Sequence, residues 1–159
     1  ALNVPSTIGG RMINGKKAKA EIDEFQSNMP EKYKLIHLEY ECCKYSFTGI
    51  ETFLKNTKYK TIKPISERDP SKKLWVLIGY LSDMTIKTSK KGGNEYLLLT
   101  VTDFRDTIGV FCFGGDYRSR ISKDFSKGDL VKIAVKNDSN WLKLPFSHEI
   151  GGKFPIEKL

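Results

Sequence analysis

The chain has 159 residues, of which 39% are hydrophobic and 11% aromatic, and its 27 Lys+Arg against 19 Asp+Glu leave a net charge of +8. This is too apolar for a disordered tail and large enough for one domain with an accessory segment, burying roughly 70% of its unfolded surface. No run of 18 apolar residues occurs, which excludes a transmembrane helix, and so basic a domain points to an acidic partner, nucleic acid or an anionic membrane.

The first stretch, ALNVPSTIGG, lacks the basic start and apolar middle of a signal peptide. The chain opens on Ala1 rather than Met, so a longer parent is expected. Gly9, Gly10 and Gly15 break the chain early. Lys16 to Asn28 then carries good helix formers, with Ala18, Ile22 and Phe25 on one face. Pro30 interrupts it and suits the first turn of a second helix. In that helix Tyr33, Ile36, Tyr40 and Cys43 recur at three-to-four spacing, with Leu35, Leu38 and Cys42 beside them. So wide a stripe predicts a helix lying on another body, stopped by Gly49. An extended connector, KNTKYKTIKPI, follows. Residues 1–71 thus read as a helical linker segment too small for its own core, packing on what comes next. The polar stretch ISERDPSKK marks the junction.

From residue 72 the rhythm changes. Leu74 to Lys87 reads as a long, bent strand in which Gly79 marks a bend or a close backbone approach. TSKKGGNE is a basic turn, Glu95 to Asp103 a second strand, Ile108 to Phe113 a third. GGDYRSRISKDFS reads as a short helix capped by Asp116. Leu130 to Val135 alternates strictly and forms a fourth strand, and Trp141 to Phe146 a fifth. Three strands, a helix and two strands, the first long and bent, describe a mainly β architecture: a five-stranded OB-fold Greek-key barrel over residues 72–159.

Such barrels commonly bind single strands or oligosaccharides across strands two and three, using a cationic groove and flat side chains. Lys87, Lys90 and Lys91, with Asn94, lie at the first turn, Arg105 at the second, and Lys136 and Lys143 flank the last. Alternation puts Leu97, Leu99 and Val101 toward the core and Tyr96, Leu98, Thr100 and Thr102 outward. On strand three Val110 and Cys112 face in, and Phe111 and Phe113 out. Tyr96, Phe111 and Trp141 are the stacking candidates. Phe113 reads instead as cover for the core edge or a surface for the N-terminal helices. No residue suggests base-edge readout, so weak sequence preference is expected.

Catalytic chemistry finds no foothold. Phosphate-loop, nucleophile-elbow and zinc-protease motifs are missing, and Ser147, His148 and Glu149 are neighbours that cannot converge as a triad. Asp103 and Asp106 suit turn chemistry better than a metal. Cys42, Cys43 and Cys112 form neither a disulfide framework nor a zinc site and read as reduced, mostly packed thiols. A cytoplasmic protein without cofactor or metal is therefore expected.

The strand region resembles the OB domain near the C-terminus of the bacterial DNA polymerase III alpha subunit. The matching residues are Gly79 within Val76-Leu77-Ile78-Gly79, then Thr88-Ser89-Lys90-Lys91-Gly92 and the strand from Tyr96 to Asp103. Ile108, Val110, Phe113 and Tyr117 follow, and then Gly128-Asp129. Upstream, the family's helix pattern E-x-E-x-L-G-x-Y-x-S-G-H-P is similar to Glu39 to Gly49, with Lys44 in place of the glycine and Ile50-Glu51 in place of His-Pro. Over residues 33–135 this resemblance implies the linker helix and OB domain of a bacterial or phage replicative polymerase. That module contacts single-stranded DNA in replication, and the catalytic aspartates lie on a palm domain this chain lacks. Other polymerase domains or replisome subunits become expected partners. Gln26-Ser27-Asn28-Met29 faintly resembles the family's clamp-binding peptide, with Pro30 in the aromatic's place. The alternatives are a stand-alone single-strand-binding or replication accessory protein, a protein-docking barrel, and a tRNA-binding domain of a synthetase.

Overall fold

The structure, a computed structural model, describes residues 7–8, 11–12, 19–23, 30–139 and 141–159. Ala18, Phe25, Gly9, Gly10, Gly15 and the clamp-like run 26–29 lie outside them. Strands β1 (Leu74–Thr88), β2 (Glu95–Thr102), β3 (Thr107–Cys112), β4 (Leu130–Asp138) and β5 (Trp141–Lys143) are hydrogen-bonded in the order β1-β2-β3-β5-β4. The pairing β1–β4 closes the ring. Only the β3–β5 contact is parallel. This is the closed five-stranded OB-fold barrel with helix α3 (Gly115–Asp124) between β3 and β4, as the sequence predicts. A further strand, β6 (Ile156–Lys158), lies antiparallel along β4 at Val131–Ile133 and is not foreseen by the sequence.

β1 closes the barrel because it serves two partners. Leu74–Tyr80 pairs with β4 and Tyr80–Thr88 with β2, with a register shift between Leu81 and Asp83. Gly79 sits just before Tyr80, where the pairing passes from β4 to β2. A Cβ there would meet Val101 Cγ1 at 2.7 Å and the Thr102 carbonyl oxygen at 2.8 Å, closer than any real side chain sits. Gly79→Ala is expected to destabilise the protein by about 1–3 kcal/mol, the usual penalty for overpacking; an unchanged urea midpoint would contradict the close approach.

The alternation read from β2 and β3 is what fills the barrel. Leu97, Leu99, Val101, Val110 and Cys112 are buried, with Leu77, Leu81, Ile121, Val131, Ile133 and Val135 from the other elements. Burial pushes the Cys112 thiol up to about 11 and leaves it unreactive. Cys42 and Cys43 are exposed, which corrects the expectation of mostly packed thiols.

Helix α1 (Glu31–Cys43) starts at Pro30, whose carbonyl accepts from the Tyr33 N–H at 2.9 Å. Its buried face is narrower than predicted. Tyr33, Ile36 and His37 are buried and Tyr40 half-buried, while Leu35 and Leu38 are exposed. The helix ends at left-handed Lys44, φ 57°, not at Gly49. Nor does Asp116 cap α3: Gly114 holds that position and Asp116 lies in the first turn, where its charge suits the helix dipole. The segment read as an extended connector is instead mostly turns, after a one-turn helix α2 (Glu51–Leu54). At the N-terminus, Thr7–Ile8 pairs antiparallel with Arg11–Met12 where helix or irregular chain was expected.

Tyr33, Ile36, Ile50 and Leu54 share a second core with Ile78, Tyr80 and Leu130 of the barrel and Phe104 of the β2–β3 turn. Phe104 takes φ +64°, uncommon for a side chain of this size. Its ring centroid lies 5.0 Å from that of Tyr80 and 5.5 Å from those of His37 and Tyr40. The turn is shaped by buried Asp103, whose carboxylate accepts from the N–H groups of Arg105 (2.9 Å), Asp106 (2.8 Å) and Ile65 (3.0 Å). Asp103 is thus a turn and tether residue, as the turn reading of the Asp103–Asp106 spacing expects. No helix among the described residues is long and apolar enough to cross a membrane.

Candidate nucleic-acid interface

The outer face of β2 and β3 is built by strand parity. The register Leu98↔Phe111↔Lys143 puts these side chains on one surface, and Tyr96 and Phe113 flank them one step along each strand. β5 carries Trp141 to the same surface. The result is a cluster of four rings. Phe111 lies 5.6 Å from Tyr96 and 5.2 Å from Trp141, centroid to centroid. Phe113 lies 5.8 Å from Tyr96 and 6.0 Å from Trp141. Phe111 and Phe113 are nearly parallel, 8° apart in plane at 6.2 Å. Trp141 is 50% exposed and Phe113 38%, so the cluster is open to solvent and not a closed plug. Exposed aromatic rings gathered in one place mark a candidate contact surface.

Phe113 is therefore a member of the cluster, against the expectation that it covers the core edge. The signal was present: it shares the parity of Phe111. Trp141 stands edge-on to both phenylalanines.

Two grooves flank the rings. One, of about 590 Å³, runs between the cluster and the β1–β2 loop and is lined by Lys87, Ser89, Lys90, Tyr96, Phe113 and Trp141. The other, about 580 Å³, passes Leu98, Gly109, Phe111, Asn137 and Trp141 and reaches Arg68. Arg68 and Asn137 belong to segments that sequence parity cannot place on this surface. The loop is held by Ser89 N–H donating to the Asn94 carbonyl (2.8 Å) and Gly93 N–H to the Ser89 carbonyl (3.1 Å), with Gly93 at φ +64°. Lys87, Lys90 and Lys91 are exposed, and among the described residues no carboxylate pairs with them. Asn94 sits at the loop base beside Phe113 and Gly114. Thr100 is half-buried at the far end of the same face, opposite Gly109.

The remaining predicted cations are differently placed. Arg105 reaches away from the rings: its Nε donates to the Ser46 carbonyl (2.8 Å), its guanidinium also to the Phe47 carbonyl (3.0 Å), and it pairs with Glu51. It fastens the segment after α1 to the barrel. Lys136 is ion-paired with Glu149, and Lys143 with Asp138 at 2.7 Å. The Lys143 hydrogen bond holds the Asp138 carboxyl below the usual range, and the Lys136 bond does the same for Glu149. Both carboxylates therefore stay charged near neutral pH. The Arg105–Glu51 and Lys136–Glu149 pairs join residues that local spacing does not relate, whereas Asp138 and Lys143 meet across the β4–β5 hairpin.

No protein-family model matches the chain, and no curated protein does. Among solved structures, it is similar to the mitochondrial single-stranded DNA binding protein Rim1 from S. cerevisiae, at 18% identity and TM-score 0.42, covering 54% of this chain and 92% of that one. A replication Factor A related protein from Methanobacterium thermoautotrophicum matches at 14% identity and TM-score 0.43, covering 62% and 90%. A chain of a Replication Protein A heterotrimer bound to ssDNA matches at 16% identity and TM-score 0.45, covering 62% of this chain and 24% of that one. At these scores the fold assignment rests on the strand order and closure of the barrel itself.

Proposed function

We propose that this chain is a non-catalytic OB module that binds single-stranded DNA with little sequence preference. The observation that carries this reading is the exposed four-ring cluster bordered by the Lys87, Lys90 and Lys91 loop. Rings with solvent-open faces can stack on any base, while flexible lysines follow phosphates, and each stacked base contributes about 1–3 kcal/mol. Duplex DNA keeps its bases stacked on each other and offers this surface only its backbone.

Titration of the protein with labelled oligo-dT over a salt series tests this. Three loop lysines on phosphates predict a slope of log K against log salt near −2, about a 20-fold loss from roughly 50 to 200 mM. Absence of binding at low salt, or affinity indifferent to salt, would refute the reading. Equal affinity for the matching duplex would count against stacking.

The setting is the finer part of the proposal. The linked residue patterns at Glu39 to Gly49 and Thr88 to Asp103, in that order along the chain, support a module of a replicative polymerase of the alpha-subunit kind. A stand-alone single-strand-binding protein accounts equally for the ring cluster. The length of the parent reading frame separates the two.

A further inference from the structure

Resting on the single-strand reading, we propose that Asp138 masks Lys143, holding the cation beside the ring cluster out of the phosphate path and so setting affinity below what the groove could reach. The two ends of the ring surface differ in charge. At the β1–β2 loop the lysines have no carboxylate partner among the described residues. At the β4–β5 end Lys136 and Lys143 each have one, while Arg68 borders the same groove with no carboxylate partner among the described residues. Lys143 is the register partner of Phe111, in the middle of the cluster, and Asp138 is the register partner of Trp141. The hairpin thus brings Asp138 over Lys143, with Nζ to Oδ2 at 2.7 Å. Next to Lys143 in register stands Lys136, itself paired with Glu149.

A carboxylate on a lysine competes with a phosphate for the same ammonium. A strand lying across Phe111 and Trp141 meets an ammonium already neutralised, plus the field of Asp138, which is 43% exposed and itself repels phosphate. Binding at this end is then carried by the rings and Arg68, and phosphate capture by lysines is concentrated at the loop. The geometry therefore predicts a strand gripped by lysines at one end and mainly by stacking at the other.

Asp138→Asn keeps the size and turn of the residue and removes the competing charge. One freed phosphate contact steepens the salt slope by about 0.7, which amounts to roughly 8-fold tighter oligo-dT binding on going from about 1 M to about 0.05 M salt. Adding Lys143→Gln to Asp138→Asn is expected to abolish the gain. A gain that survives in the double variant means simple repulsion by Asp138 and overturns masking. Wild-type binding with affinity and slope unchanged in Asp138→Asn overturns masking alone. No binding by either protein overturns both this proposal and the single-strand reading. Asp138→Ser, with a thermal melt matching wild type, repeats the test without the amide.

Discussion

Replacing Phe111 and Trp141 together with alanine is expected to reduce affinity for oligo-dT by at least ten-fold and up to several hundred-fold, with the salt slope unchanged. Each base stacked on a ring is worth about 1–3 kcal/mol, or roughly 5- to 150-fold. The two rings touch at 5.2 Å, so their effects will not add fully. The slope is the informative control. No charge is removed, so phosphate contacts should release the same number of counterions before and after. Anisotropy with labelled oligo-dT over a salt series reads both quantities. Trp141 is half exposed and Phe111 only partly buried, so the barrel core stays intact and a matching far-UV spectrum is expected. Retained affinity would mean that the rings serve another surface, and a flattened slope would mean that the lysines had moved.

Phe104→Ala is expected to lose about 3–5 kcal/mol of stability, the range for deleting a large buried ring. That is a large part of the 5–15 kcal/mol available to an ordinary domain. The ring lies at the centre of the core that joins α1 to the barrel, against Tyr80, His37 and Tyr40. The main barrel core does not contain it. Loss should therefore concentrate on one side. Amide exchange in residues 33–54 is expected to quicken well before exchange in β2 and β3. Uniform loss of protection would show a single cooperative unit, and a urea midpoint within error of wild type would show that the ring is not the joint.

Much of the barrel was legible because its determinants are local. The period-two patterns of β2 and β3 decide which side chains face inward whatever the partners are, and Leu97, Leu99, Val101, Val110 and Cys112 are buried accordingly. Gly79 was legible as a point of close backbone approach because only a residue without a side chain tolerates the backbone of Thr102 so near. Helix α1 was legible as an element but not in its buried width. Leu35, Leu38 and Cys42 are apolar enough to belong to the stripe, yet what covers a helix face is decided by the body it meets. Its stop at Lys44 was hidden too, since a left-handed lysine carries no compositional mark, whereas glycine at position 49 does.

The candidate site divides in the same way. Tyr96, Phe111 and the loop lysines follow from strand parity and turn position. Phe113 obeys the same parity and was set aside only because exposed and edge-covering aromatics look alike in sequence. The cations were different. Arg105, Lys136 and Lys143 share the charge and turn placement of Lys87 and Lys90. Their carboxylate partners, Glu51, Glu149 and Asp138, differ in sequence distance, and all three lie on another element.

The sequence by itself determined the order of elements, the inward and outward faces of the strands, and the excess of positive charge, because each follows from residue type and near-neighbour spacing. The tertiary structure alone decided which cations are free and which are neutralised, and that four rings from three strands meet on one surface. The ring surface depends on barrel closure, which brings β5 beside β3, and the charge pattern on contacts between elements that residue type does not mark.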